Sequence, residues 1–136
     1  MPSLTGSCLC GGVRFEVAEP FEHVGACHCE SRKKISGGGG TVSGRVRTDA
    51  VRVVAGGELL TTYQPAEGSA KTFCSVCGTN LFGGGWPEKP LTPVRLPALD
   101  EPYEGRLQTH IFVRSLASWE LLPDDGAERH DGARPA

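Results

Sequence analysis

The stretch "KTFCSVCGTNLF" (Lys71–Phe82) places Cys74 and Cys77 with two residues between them, sets Gly78 directly behind, and flanks the pair with apolar, β-prone residues. Such a pair forms a knuckle: glycine permits the tight turn, both thiolates point inward, and backbone N–H groups of the turn can donate to sulfur. A tetrahedral metal site needs two more ligands. Two further close pairs offer them, Cys8 and Cys10 in "GSCLCGG" (6–12) and Cys27 and Cys29 in "ACHCESR" (26–32). Any two pairs supply four soft thiolates, the set that a closed structural zinc site favours, and three pairs can combine in more than one way. The 63 residues between Cys10 and Cys74 far exceed the ~15–20 of a simple zinc ribbon. If those pairs meet, the ion clasps segments that are distant in sequence, and its binding energy, about 10–16 kcal/mol in peptide models, becomes folding energy. The plainer reading, cysteines as small buried hydrophobes, does not account for three spaced pairs.

The rest of the composition is that of one compact domain. A chain of 136 residues can bury a core of its own. With 38% hydrophobic and 22% charged residues, neither a membrane protein nor a disordered chain is indicated. A net charge of -2 provides no basic surface for nucleic acid. The start, "MPSLTGSCLCGG", has no basic segment followed by an apolar run, and no stretch approaches membrane-spanning length. A cytoplasmic address is the expectation, and there six cysteines read as metal ligands or catalytic thiols rather than disulfides.

Gly 19 and Pro 10 favour short strands joined by tight turns. "VRFEV" (13–17) alternates apolar and polar residues; "VRVV" (51–54), "ELLTTY" (58–63), "PVRLPAL" (93–99) and "THIFVRS" (109–115) are further β-rich runs among roughly eight expected strands. One short helix is expected over "ESRKKIS" (30–36), stopped by "GGGG" (37–40). Residues 1–122 are read as the zinc-binding β domain and 123–136 as a polar tail that frays or drapes over the surface.

In order, "GSCLCGGVRFEV", "CHCESRKKISG", "KTFCSVCGTNLF", "VRLPALDEP" and "HIFVRSLASWELLPDDG" resemble the segments of the glutathione-dependent formaldehyde-activating enzyme (GFA) family, which includes centromere protein V-like proteins. The likeness spans about residues 4–126. It implies a β-tent fold of short coiled antiparallel sheets clasped by zinc, shared with methionine sulfoxide reductase B. It also implies that Cys8, Cys10, Cys74 and Cys77 hold a structural zinc, while Cys27 and Cys29 hold a second, catalytic one. The family pattern continues with a third catalytic cysteine where this chain has Arg32. A guanidinium stays protonated and only donates hydrogen bonds, so Arg32 cannot complete a coordination sphere.

The family's chemistry adds a thiol to formaldehyde, which needs a thiolate that zinc can generate and hold beside the carbonyl carbon. Losing one ligand weakens the second metal site by at least the ~10–100-fold that losing a supporting hydrogen bond costs. His28 lies between Cys27 and Cys29, and on an extended segment its side chain takes the opposite face. His23 and His110 read as hydrogen-bonded histidines, His130 as a solvated one. Arg32, Lys33 and Lys34 would lower the thiol pKa values, and Arg32 is the candidate to receive substrate carboxylates, against the plainer reading of a solvated basic helix face. Glu30 is a proton carrier or a helix-start carboxylate. Trp86 and Trp119 read as core or edge packing.

The expectation is thus a GFA-like carbon–sulfur lyase, S-(hydroxymethyl)glutathione synthase-like, handling a glutathione or other small-thiol adduct of formaldehyde or a related aldehyde. Its partner is a small-molecule thiol adduct, with no membrane and no nucleic acid. Two other classes stand beside it. One is a non-catalytic zinc-stabilised binding module, favoured by the missing cysteine. The other is thiol redox chemistry at Cys27 and Cys29, whose Cα atoms would lie ~6.6–7 Å apart on an extended strand, the edge of disulfide reach.

Overall fold

The computed structural model describes residues 4–135. Along the chain run β1 (Leu4–Ser7), β2 (Arg14–Val17), β3 (His23–Cys27), α1 (Glu30–Ser36), β4 (Thr41–Arg47), β5 (Val51–Ala55), β6 (Leu60–Tyr63), β7 (Lys71–Cys74), β8 (Asn80–Phe82), β9 (Leu91–Arg95), β10 (Thr109–Ile111) and β11 (Glu128–Arg129). The fold is mainly β, in two sheets. One has the order β1-β2-β5, the other β11-β10-β3-β4-β9-β8-β7-β6. Pairing is antiparallel except that β10 runs parallel to both β3 and β11.

One core joins the sheets. In β2, Phe15 and Val17 are buried while Arg14 is exposed, the alternation expected of a strand with one wet face. They pack with Val46, Leu81, Phe82 and Val94 from the large sheet. Phe15 meets Phe82 edge to face, with ring centroids 5.1 Å apart and planes at 70°, a favoured aromatic geometry. Each such side chain contributes about 1.5–3 kcal/mol by leaving water. Trp86 stacks on Phe82 at 5.0 Å, as edge packing requires. Trp119 instead stands 76% exposed, contrary to the expected packing role.

The helix falls where the sequence places it. Cys29 remains extended, α1 begins at Glu30, and Gly37 closes it in the left-handed conformation with its N–H donating to the Lys33 carbonyl. Three expected strands are shorter than their runs: "ELLTTY" begins as a strand only at Leu60, after a 3-10 turn over Gly57–Leu59. "PVRLPAL" leaves the sheet after Arg95 for a 3-10 turn, Leu96–Ala98, because Pro97 has no N–H to give a ladder. "THIFVRS" ends at Ile111, where Phe112 turns to φ 57°. The segment beyond Pro123 drapes in an ordered way. Its β11 adds to the edge of the large sheet, and Phe112 N–H donates to the Gly132 carbonyl at 3.0 Å.

Candidate functional site

Four cysteines meet where the two sheets touch. Cys8 and Cys10 lie in the turn after β1; Cys74 ends β7 and Cys77 follows in the turn to β8. Their sulfurs all lie within 4.8 Å of one another. Cys8 and Cys10 sulfurs are 3.5 Å apart, and Cys10 and Cys74 sulfurs 3.9 Å. A tetrahedral ion with ~2.3 Å metal–sulfur bonds requires edges of about 3.8 Å, so this set has the size of a site for one metal ion.

The two knuckles are alike in build. Gly11 and Gly78 both take left-handed backbones, φ 78° and 80°, as the turns demand. Gly11 N–H donates to the Cys8 carbonyl at 2.9 Å and Gly78 N–H to the Cys74 carbonyl at 2.8 Å. Val13 N–H reaches the Cys8 sulfur at 3.2 Å, and the Thr79 hydroxyl lies 3.2 Å from the Cys77 sulfur. That hydroxyl, together with the N–H groups of Thr79 and Cys10, brings Cys77 down to about 5. The Gly12 N–H works to lower Cys10, but the crowding of the other sulfurs, Cys8 foremost, pushes it up to about 11. Four sulfurs this close together, in turns whose N–H groups point at them, form a site that suits a soft cation.

The second pair sits elsewhere, at the end of β3. Cys27 is buried and Cys29 half-buried. Among the described residues no third cysteine, histidine or carboxylate joins them in a metal-sized cluster. His28 turns away, as the extended backbone dictates. Its Nδ1 donates to the Gly39 carbonyl at 2.7 Å and its Nε2 meets His110 Nδ1 at 2.9 Å. His110 Nε2 in turn donates to Asp125 Oδ2 at 2.7 Å, so no nitrogen of either ring is left over to bind a metal.

Cations occupy the ground a third ligand would need. Lys71, 2% exposed, donates from Nζ to the Ser31 hydroxyl at 3.0 Å and the Ser69 carbonyl at 2.7 Å. The Ser31 oxygen lies 3.5 Å from the Cys29 sulfur, so one hydroxyl separates ammonium from thiol. Thr41, opposite Cys27 in the β3–β4 ladder, accepts from Arg32 Nη1 at 3.3 Å and from Arg95 Nη1 at 3.4 Å. Directly opposed residues share a face of the sheet, so both guanidiniums gather at Cys27. A divalent ion held by two sulfurs would face three positive side chains. This donor set does not fit a second metal.

The charges divide the pair. Burial, the largest influence, holds Cys27 above the ordinary thiol range. Burial opposes ionisation of Cys29 too, but the Ser31 hydroxyl, the Arg32 N–H and the Arg32 guanidinium outweigh it and bring Cys29 below that range. Burial lowers Arg95 to about 9, with Arg32 adding to the effect, so Arg95 still carries its charge near neutrality.

Arg32 and Cys27 line an open cleft of about 370 Å³ whose walls include His23, Ser43, Arg45 and Arg134. The other basic residues of the helix face away. Lys33 pairs with Glu120 at 2.8 Å, and exposed Lys34 with Glu30 at 3.8 Å, which makes Glu30 a surface helix-start carboxylate. His23 accepts from Arg134 on Nδ1 at 3.0 Å, leaving Nε2–H for the Thr109 hydroxyl at 2.8 Å. His130 sits by Glu128 at 3.1 Å. Lys71, Arg95 and Asp125 lie in segments that carry the family resemblance, but neither they nor Thr41 stood out there as site residues. The only hint was an arginine and a lysine at inward positions of otherwise apolar strands.

The chain is similar to known proteins over most of its length. The model of the glutathione-dependent formaldehyde-activating enzyme family matches residues 3–115, and the chain belongs to that family. A protein of Halomonas elongata, provisionally named a glutathione-dependent formaldehyde-activating enzyme, is 32% identical over 129 residues, covering 85% of this chain and 78% of its own. A crystal structure of a Rhodobacter sphaeroides protein superimposes with a TM-score of 0.60 at 26% identity, over 76% of this chain and 96% of that one.

Proposed function

We propose that the chain is a carbon–sulfur lyase that makes or breaks the adduct of a small thiol, such as glutathione, with formaldehyde or a related aldehyde, in the cleft beside Cys27, Cys29 and Arg32. The observation that carries this reading is Cys29 held below the ordinary thiol range beside the Arg32 charge, with the Lys71 ammonium one hydroxyl away. In the cleavage direction the adduct's hydroxyl loses its proton to the Cys29 thiolate. The carbon–oxygen double bond forms as the carbon–sulfur bond breaks, and the electron pair leaves on the substrate sulfur. Arg32 and Lys71 stabilise that developing negative charge. Formation of the adduct is the reverse, and nothing is oxidised or reduced.

The four-cysteine site takes zinc in this reading. Cys8, Cys10, Cys74 and Cys77 would hold it, and it would supply a cross-link between the sheets rather than a reacting centre. Free thiols at all six cysteines support a reducing, cytoplasmic setting. No helix among the described residues is long and apolar enough to cross a membrane.

The test is exchange spectroscopy of glutathione with formaldehyde, comparing the chain with Cys29→Ser. Faster interconversion of free and adduct forms that the variant loses supports the lyase. The short donor set at Cys27 and Cys29 favours a second reading, a zinc-stabilised module that binds a thiol without transforming it. Saturable glutathione binding without acceleration would select that reading.

A further inference from the structure

Lys71 and Arg95 are 2% and 3% exposed, and Arg32 joins Arg95 on the single Thr41 hydroxyl. The charges that act on Lys71 and Arg95 are those of the other cations and of Cys27 and Cys29; no carboxylate is among them. Arg95 spends Nε on Asn80 and Nη1 on Thr41 and Ser43, yet its Nη2 is buried with no partner at all. A buried guanidinium nitrogen without an acceptor is costly and rare. The described residues that line the adjoining cleft carry Arg32, Arg45 and Arg134 and no acid, and Arg45 Nε is likewise buried and unpartnered. Three charges around two thiols, with donors to spare, make a receptor for an oxyanion.

The place of that charge limits the ligand. Formaldehyde has no anionic group to use it. In glutathione the carboxylates stand at the two ends of the peptide, several bonds from the sulfur, whereas these cations crowd the thiols themselves. An anion bound among them must be joined closely to the reacting carbon. In a 2-oxo acid the carboxylate is bonded directly to the carbonyl carbon.

We propose that the electrophile handled at Cys27 and Cys29 is a short 2-oxo acid, its carboxylate held by Arg32 and Arg95 where the family resemblance implies a second metal. This rests on the lyase reading for its chemistry, though not for its binding. The thiol's sulfur bonds to the carbonyl carbon, the thiol's proton ends on the carbonyl oxygen, and a carboxylated hemithioacetal results with no change of oxidation state.

Two measurements on the zinc-loaded chain test it. In exchange spectroscopy with glutathione common to both arms, glyoxylate should interconvert with its adduct at least about tenfold faster, relative to the uncatalysed reaction, than formaldehyde does, the effect of one charge-assisted hydrogen bond. Arg32→Met should abolish that preference and Arg32→Lys should restore part of it. Titration calorimetry with oxalate, an unreactive mimic, should show saturable binding that Arg32→Met weakens by a similar factor. Acceleration of formaldehyde equal to or above that of glyoxylate overturns the substrate class and leaves the lyase reading standing. Oxalate binding without acceleration of either aldehyde supports the oxyanion receptor and overturns the lyase. Absence of saturable oxalate binding overturns the receptor.

Discussion

Nε2 of His28 lies 2.9 Å from Nδ1 of His110, with the ring planes 21° apart. The chain of contacts from the Gly39 carbonyl through both rings to Asp125 contains three hydrogen bonds. The C-terminal segment is therefore tied to the loop that bears Cys27 and Cys29.

That tie gives a pH dependence. The hydrogen bond from His110, helped by the Ala127 N–H, holds Asp125 below its ordinary value of 3.8. A depressed carboxylate stabilises the fold above its unfolded value, and the contribution is lost as pH falls through the folded one. Amide hydrogen exchange at residues 128–132 should accelerate in that acid window. Asp125→Asn should bring the same acceleration at neutral pH, and unchanged exchange would show that the segment is held by its backbone bonds alone.

Metal content separates the two cysteine sites. Elemental analysis of purified chain should give about one zinc per molecule, and Arg32→Cys about two, because that change adds a sulfur and removes a cation in one step. Cys74→Ser should lose the single ion and a large part of the ~10–16 kcal/mol that structural zinc lends folding. A content near two in the unaltered chain would mean that Cys27 and Cys29 find ligands beyond those described.

Thiol reactivity should divide Cys29 from its neighbour. With zinc in place, iodoacetamide should modify Cys29 at a lower pH than Cys27, since the thiolate is the nucleophile and the two shift in opposite directions. Arg32→Met removes a charge that favours the Cys29 thiolate, so the midpoint of its pH–rate curve should rise. Peptide mapping of the labelled chain reads both outcomes.

Packing offers a control remote from the chemistry. Phe15→Ala empties the contact with Phe82 at the join of the sheets and should destabilise by about 3–5 kcal/mol in denaturant titration. A much smaller loss would mean that the sheets close over the gap.

The parts of the fold visible in the sequence are those set by local rules. Helix α1 is bounded by Cys29 and Gly37, and β2 and β5 follow their alternation. Strand β4 escaped notice because Gly44 interrupts its apolar pattern, and Gly44 is there to accommodate the Phe21 ring, a contact 23 residues back in the chain. The four-cysteine cluster was legible as soft ligands in spaced pairs, and the family resemblance chose which pairs combine. Arg95 and Lys71 were not legible. Their significance comes from burial and from the strands that carry them to Cys27 and Cys29, a juxtaposition no spacing along one strand encodes. Trp119 failed for the same reason, since nothing nearby in sequence reveals that its segment lies on the outside.

The distance along the chain between the two knuckles also sets an order of events during synthesis. Cys77 is made 67 residues after Cys10, so the first knuckle is complete well before the second exists. The nascent β1–β2 hairpin must therefore wait, thiols reduced, for its partner, and a shortage of the metal at that moment leaves the two sheets unclasped.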